Sequence, residues 1–159
     1  MLAKNNLPKI YLLHALSNIT YTLPLLYDKS SLIAGALIVF ERESQLGEII
    51  NTGTIVDAVA SVSVVNNIFF PNSPLHDGAV VVRNGRIYAA GCILPLSQAD
   101  LLNSSMGTRH RAAIGMSESS DAVVLVVSEE TGTISIAEGG KITRNYNAVT
   151  AAAELRRLI

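Results

Sequence analysis

The 159-residue sequence predicts a single α/β (α+β) domain with a central mixed β-sheet flanked by helices. Residues 32–40 and 122–127 are continuous apolar runs rich in branched side chains, the pattern of strands buried on both faces. Asn84-Gly85 separates two further apolar runs, the strongest short hairpin signal in the chain. Apolar residues at helical spacing mark both ends of the sequence. Helices scattered among hairpins, without strict βαβ alternation, call for a mixed sheet.

Taken in order, Leu12, Leu13, Leu16, Ile19, Tyr21 and Leu23 predict an amphipathic first helix that Pro24 kinks or ends. His14 lies within it and reads as structural. Residues 32–40, with Gly35, read as a buried strand. Residues 57–68 read as a helix, with Asp57 as N-cap or first-turn acid and Val59, Val62, Val65 and Ile68 at helical spacing. Pro71 and Pro74 force a turn-rich loop leading into His76-Asp77-Gly78-Ala79. Strands are expected at 79–82 and 86–94, and a helical turn at 99–102. Gly107-Thr108 then breaks the chain before a helix from Arg109 toward Met116, with Thr108 as its N-cap. Residues 122–127 form a central strand, Thr131-Gly132 turns it into 134–137, and Gly139-Gly140 turns again before Ile142. A helix over 149–158 closes the chain.

Charged residues make up 16% and apolar ones 49%, which excludes a disordered tail or a solvated coiled coil. A formal charge of −1 gives no basic footprint, so no nucleic-acid partner is expected. The anion to be bound is then a small molecule held by a few local cations. Cys92 stands alone, so no intramolecular disulfide forms and a reducing, cytoplasmic setting is expected. Its apolar surroundings make it a small buried hydrophobe rather than a nucleophile. No apolar stretch reaches the roughly 18 residues of a membrane span. Residues 10–26 come closest, interrupted by Asn18, Thr20, Thr22 and Pro24.

Two polar clusters carry the chemistry. Gly107-Thr108-Arg109-His110-Arg111 opens a helix, whose first turn leaves N–H groups free for an anion. Guanidinium forks match phosphate oxygens, and His110 adds a donor. Residues two apart cannot share one helix face, so at most one arginine points at the ligand and the other braces the loop or pairs with a carboxylate. A solvated or salt-bridged helix start fits the same residues. In His76-Asp77-Gly78-Ala79, Asp77 offers a carboxylate that can orient a hydroxyl and help hold Mg²⁺ or Mn²⁺, and Gly78-Ala79 leaves room for substrate. An ordinary Asp-Gly turn is the alternative, and His76 alone fits a hydrogen-bonded structural histidine. Ser128-Glu129-Glu130 reads either as a charged hairpin tip or as a phosphate contact from Ser128 with a metal ligand in Glu130. No Walker loop, dinucleotide fingerprint, nucleophile elbow or zinc spacing is present.

Leu75-His76-Asp77-Gly78-Ala79, Leu94-Pro95-Leu96-Ser97, Gly107-Thr108-Arg109-His110-Arg111 and Ser128-Glu129-Glu130-Thr131-Gly132 follow one another as they do in diadenylate cyclase domains. The chain resembles that family over residues 35–140, and its membrane-associated bacterial type most closely. The resemblance implies an N-terminal helical segment over 1–30 and a catalytic domain over 31–159. It also implies condensation of two ATP into cyclic di-AMP with release of two pyrophosphates. Asp77 would position or activate the ribose 3′-hydroxyl. Residues 108–111 would hold the phosphates, with Gly78, Ala79, Gly107 and Ser128 among the nucleotide contacts and the backbone near Leu94 bordering adenine. His76, Asp77 and Glu130 would associate with Mn²⁺ or Mg²⁺.

Ile93 stands where related domains often carry an aromatic that can stack on adenine. Members at the membrane carry transmembrane helices before the domain and this chain shows none. Either a tether lies outside this chain, at the cytoplasmic face, or the protein reaches the membrane by other means, if at all. Two equivalent 3′–5′ linkages require two sites facing each other, hence a homodimer during catalysis. The rival reading is a non-catalytic nucleotide-sensing module that binds ATP or cyclic di-AMP.

Overall fold

Seven strands in the order β2-β4-β3-β1-β5-β6-β7 form one mixed sheet with helices on both faces. The computed structural model describes residues 7–27, 35–98 and 106–159. The strands are β1 (Ala36–Phe40), β2 (Thr54–Val59), β3 (Ala79–Arg83), β4 (Arg86–Cys92), β5 (Val123–Val127), β6 (Ile134–Glu138) and β7 (Lys141–Tyr146). The helices are α1 (Leu7–Tyr27), α2 (Gly47–Ile50), α3 (Val62–Phe69), α4 (Thr108–Ser119) and α5 (Ala148–Leu158). β1 and β3 run parallel, and the other pairs are antiparallel.

The apolar runs are continuous because both faces of the inner strands are covered. Ile38 and Phe40 of β1, Val80 and Val82 of β3, and Leu125 of β5 join Leu16, Ile19 and Leu23 of α1, Val65 of α3 and Leu155 of α5. Val39, Val81, Val124 and Val126 face the other way, against Ala112, Ala113 and Met116 of α4. A strand with two dry faces loses the apolar–polar alternation that marks a half-buried one. Asn84 (φ 51°) and Gly85 (φ 74°) make the tight β3–β4 turn, where positive φ at both central positions matches the strand twist. No helix among the described residues is long and apolar enough to cross a membrane.

The structure corrects three expectations. Residues 57–68 are not one helix: β2 occupies Thr54–Val59, and α3 begins at Val62 with Ser61 as its N-cap, accepting from the Val64 N–H. Asp57 caps nothing. It sits at positive φ (46°) in the irregular stretch of the β2–β4 ladder and binds Arg86 Nε at 2.7 Å. Thr108 is the first helical residue and Gly107 the N-cap, with no side chain capping the helix. α1 runs on through Pro24 to Tyr27, so the proline does not end the helix, although it removes the N–H that would bond the residue 20 carbonyl. The turn expected at 99–102, and residues 32–34 of the first strand run, lie outside the described residues.

Candidate active site

One end of the sheet gathers the polar clusters. Asp77-Gly78 precedes β3 and Ile93-Leu94 follows the antiparallel β4, while Ser128 follows β5, antiparallel to β1. All three loops therefore open on the same edge, and the start of α4 meets them there.

Asp77 arrives on a loop tied to the end of α3. Ser73 Oγ donates to the Ile68 carbonyl at 2.8 Å, the Ser73 N–H to the Phe70 carbonyl at 3.0 Å, and Leu75 packs on the core. His76 Nδ1 lies 2.7 Å from the Ser73 carbonyl oxygen, which can only accept. Nδ1 therefore carries the proton, and the Nε2 lone pair is left for another partner. The Asp77 carboxylate is exposed, with no hydrogen-bond partner among the described residues. Gly78 has φ 114°, and a Cβ there would lie 2.8 Å from the Gly91 carbonyl carbon and 2.9 Å from the Cys92 oxygen. Only glycine fits, so the backbone presents Asp77 at the strand mouth without an adjoining side chain.

The second wall is the β4–α4 connection. Ser97 N–H donates to the Arg111 carbonyl at 3.0 Å, Ser97 Oγ to Glu118 at 2.7 Å, and Arg111 Nη2 to the Ser97 carbonyl at 3.3 Å. Arg111 is thus the brace, whereas Arg109 pairs with Glu129. The i, i+2 spacing sends the two guanidinium groups to different partners, and both partners lie within the chain. An anion held at the start of α4 is expected to bind about 10- to 100-fold more weakly to Arg109→Ala, the scale of a lost charge-assisted hydrogen bond. Arg111→Ala should chiefly lower the melting temperature; calorimetric titration and thermal unfolding of both variants separate the two roles.

These walls enclose two adjoining spaces. An apolar cleft of about 330 Å³ is lined by Leu37, Asp77, Gly78, Cys92, Ile93, Leu94, Leu96, Thr108, Arg109 and Ala112. A polar chamber of about 280 Å³ is lined by Gly107, Thr108, Arg109, His110, Ser128, Glu129, Glu130, Thr131 and Arg144. Thr108 and Arg109 line both, so the uncapped start of α4 stands at their junction. Cys92 is inert here: burial pushes its thiol up to about 11. Ile93 is 69% exposed at the cleft edge, so the apolar wall beside Leu94 carries an aliphatic side chain rather than a ring.

Ala79 is fully buried in β3 and lines neither space. Ser128 both lines the chamber and accepts from the Thr131 N–H at 3.3 Å, so it shapes the hairpin tip. His14 is exposed on α1, its Nδ1 3.4 Å from Asn18 Nδ2. Arg144, a β7 residue outside every sequence cluster, also stands in the chamber wall. No local motif marks it; only the packing of α4 over β6 and β7 encloses it.

His110 is 4% exposed, and its Nε2 has no partner among the described residues. Burial first, then the Arg144 charge, hold its pKa below the ordinary 6.5. The folded protein binds that proton more weakly than the unfolded chain does. Its contribution to stability is therefore complete above about pH 6.5 and is lost as pH falls through the lower folded-state value. The denaturant midpoint should drop between about pH 7.5 and about pH 5.5, and drop less in His110→Gln.

Among the described residues, no three His, Cys, Asp or Glu side chains converge as a metal site. The donors do suit a hard divalent cation: the Asp77 carboxylate, an imidazole nitrogen of His76 held by its carbonyl partner, and the exposed Glu130.

A family model described as "DisA bacterial checkpoint controller nucleotide-binding" matches residues 28–142. The chain is 48% identical over 110 residues to the cyclic di-AMP synthase CdaA of Bacillus subtilis, covering 69% of this chain and 40% of that protein. It is 53% identical over 106 residues to the diadenylate cyclase CdaS of Bacillus thuringiensis, covering 67% of this chain and 53% of that one. The chain thus spans about half, or less, of the length of these relatives. A double-cysteine variant of DacA from Staphylococcus aureus superimposes with a TM-score of 0.85 at 40% identity, over 90% of this chain and 93% of that one. The fold, the edge where the clusters meet and the span of the match agree: the chain belongs to the diadenylate cyclase (DAC) domain family.

Proposed function

We propose that this chain condenses two ATP molecules into cyclic di-AMP and releases two pyrophosphates, as a metal-dependent diadenylate cyclase working between two facing copies. The observation that carries it is the shared cleft: Asp77 and Arg109 line one space, which passes across the start of α4 into a polar chamber. The apolar walls at Leu37, Ile93, Leu94 and Leu96 suit a purine. The chamber suits the phosphates, which would meet free backbone N–H groups at residues 108–110 and the Arg109 guanidinium.

In each half of the reaction a ribose 3′-oxygen bonds to the α-phosphorus of the other nucleotide. The bond from that phosphorus to the bridging oxygen breaks, and pyrophosphate leaves. Asp77 orients the hydroxyl and accepts its proton, a role suited to an exposed carboxylate with no partner in the fold. His76, Asp77 and Glu130 do not converge within one copy. A divalent cation would therefore be held by His76 and Asp77 on their shared loop, with Glu130 joining only across facing copies, and would neutralise phosphate charge. Arg109 and the start of α4 fix the triphosphate and offset charge on the leaving group. One protomer holds a single cleft of this kind among its described residues, so both linkages require a second copy related by a two-fold axis.

Incubation of the purified chain with ATP and Mn²⁺, followed by chromatography of the nucleotides, tests the proposal. A cyclic dinucleotide is expected, with specific activity falling on dilution as the dimer dissociates. ATP bound but returned unchanged across a series of metals would leave a nucleotide-sensing module instead.

A further inference from the structure

Arg144 belongs to none of the sequence clusters and lies beyond the family match, which ends at residue 142. It is half-buried in the wall of the polar chamber. Every other half-buried arginine among the described residues has an oxygen acceptor. Arg42 donates to Glu138, Arg83 to Glu41, Arg109 to Glu129 and Arg111 to the Ser97 carbonyl. Arg144 has no such acceptor, and its Nε is buried without a hydrogen bond. Beside it in the chamber, His110 keeps a buried Nε2 that is equally unpartnered. Ser135 Oγ is also buried without a partner, on the face of β6 that Ala137 turns toward α4.

A buried polar atom without a hydrogen bond is costly, and the buried Nε of Arg144 belongs to a charged group. Glu129 is engaged by Arg109, and Glu130, exposed on the same hairpin tip, forms no ion pair with Arg144. Two arginines and two glutamates line the chamber, so its formal charge balances; what stays open is the unpartnered nitrogens of Arg144 and His110, which suit a group with several acceptor oxygens.

We propose that Arg144 and His110 form the inner wall of a phosphate site. It would take the terminal phosphates of a nucleoside triphosphate and the pyrophosphate that leaves. This rests on the nucleotide reading of the cleft and adds which residues grip the far end of the chain. Arg109, lining both spaces, sits nearer the nucleoside, and Arg144 and His110 lie in the polar chamber alone. The wall recognises a polyphosphate and ignores a monophosphate nucleotide.

Calorimetric titration with inorganic pyrophosphate, ATP and AMP, each with Mg²⁺, tests this on the chain and on Arg144→Gln. Pyrophosphate and ATP should bind about 10- to 100-fold more weakly to the variant, the scale of lost charge-assisted hydrogen bonds, and AMP equally well. Arg144→Lys, which keeps the charge but not the fork, should fall between. Unchanged pyrophosphate and ATP affinity, or an equal loss for AMP, overturns the proposal. If Arg144→Gln shows no cooperative melt, Arg144→Lys carries the test by the same criteria. The cyclisation assay is scored separately. Arg144-dependent pyrophosphate binding in a chain that forms no cyclic dinucleotide overturns only the cyclase reading. Product formed by a chain whose pyrophosphate affinity ignores Arg144 overturns only the phosphate wall.

Discussion

Asp77→Asn is expected to reduce cyclic dinucleotide formation by about 10²- to 10⁴-fold, the usual contribution of a positioned general base. ATP affinity should stay within a few-fold of the parent. Both expectations come from the same geometry. The carboxylate is exposed and bonded to nothing among the described residues, so the amide replaces it without breaking a contact that supports the fold. Its loop is anchored independently by Ser73 and Leu75, and the strained backbone at Gly78 is untouched. What the amide cannot do is take a proton from a ribose hydroxyl. Product chromatography and ATP titration on the same preparation provide the check, with thermal unfolding as a control. Full turnover in the variant would remove Asp77 from the chemistry, and lost ATP binding would make it a binding residue instead.

The parts of the site that were legible in the sequence are those set by local geometry. Gly107 before Thr108-Arg109-His110 announces a helix start, and one end of that helix must offer free N–H groups whatever the rest of the fold does. Arg109 and Arg111 could not share a face, and they do not: one turns to Glu129, the other to the Ser97 carbonyl. Asn84-Gly85 forms its hairpin because the backbone there needs two positive φ angles. Residues 57–68 misled because Val59, Val62 and Val65 keep helical spacing across a strand end and a helix start. β2 is an edge strand with Ile55 and Val59 exposed, so no dry face imposed a clear alternation. Arg144 was illegible for a different reason. In β7 it reads as one polar residue between Thr143 and Asn145, and only α4, distant in sequence, encloses it. Tertiary packing, rather than propensity, decides which arginine has its Nε buried.

Gly115→Ala is expected to lower stability by at least about 3 kcal/mol, the range of severe overpacking, and to weaken nucleotide binding with it. A Cβ at this position would overlap the Pro95 carbonyl oxygen and lie 2.7 Å from the Ser97 nitrogen, against backbone that cannot rotate aside. The same strip of chain is pinned from three directions: Ser97 N–H to the Arg111 carbonyl, Ser97 Oγ to Glu118, and Arg111 to the Ser97 carbonyl. Relief of the clash therefore means moving α4 away from the β4–α4 connection and stretching those bonds. That displacement shifts Leu94 and Leu96 relative to Thr108 and Arg109, the two sides of the apolar cleft. For a chain of this size the melting temperature should fall by about 6–12 °C. ATP affinity should fall too, although residue 115 lines neither space. An unchanged melting temperature would show that the connection is not packed on α4 as described. A lower melting temperature with intact ATP affinity would show that this contact supports the fold without setting the shape of the cleft.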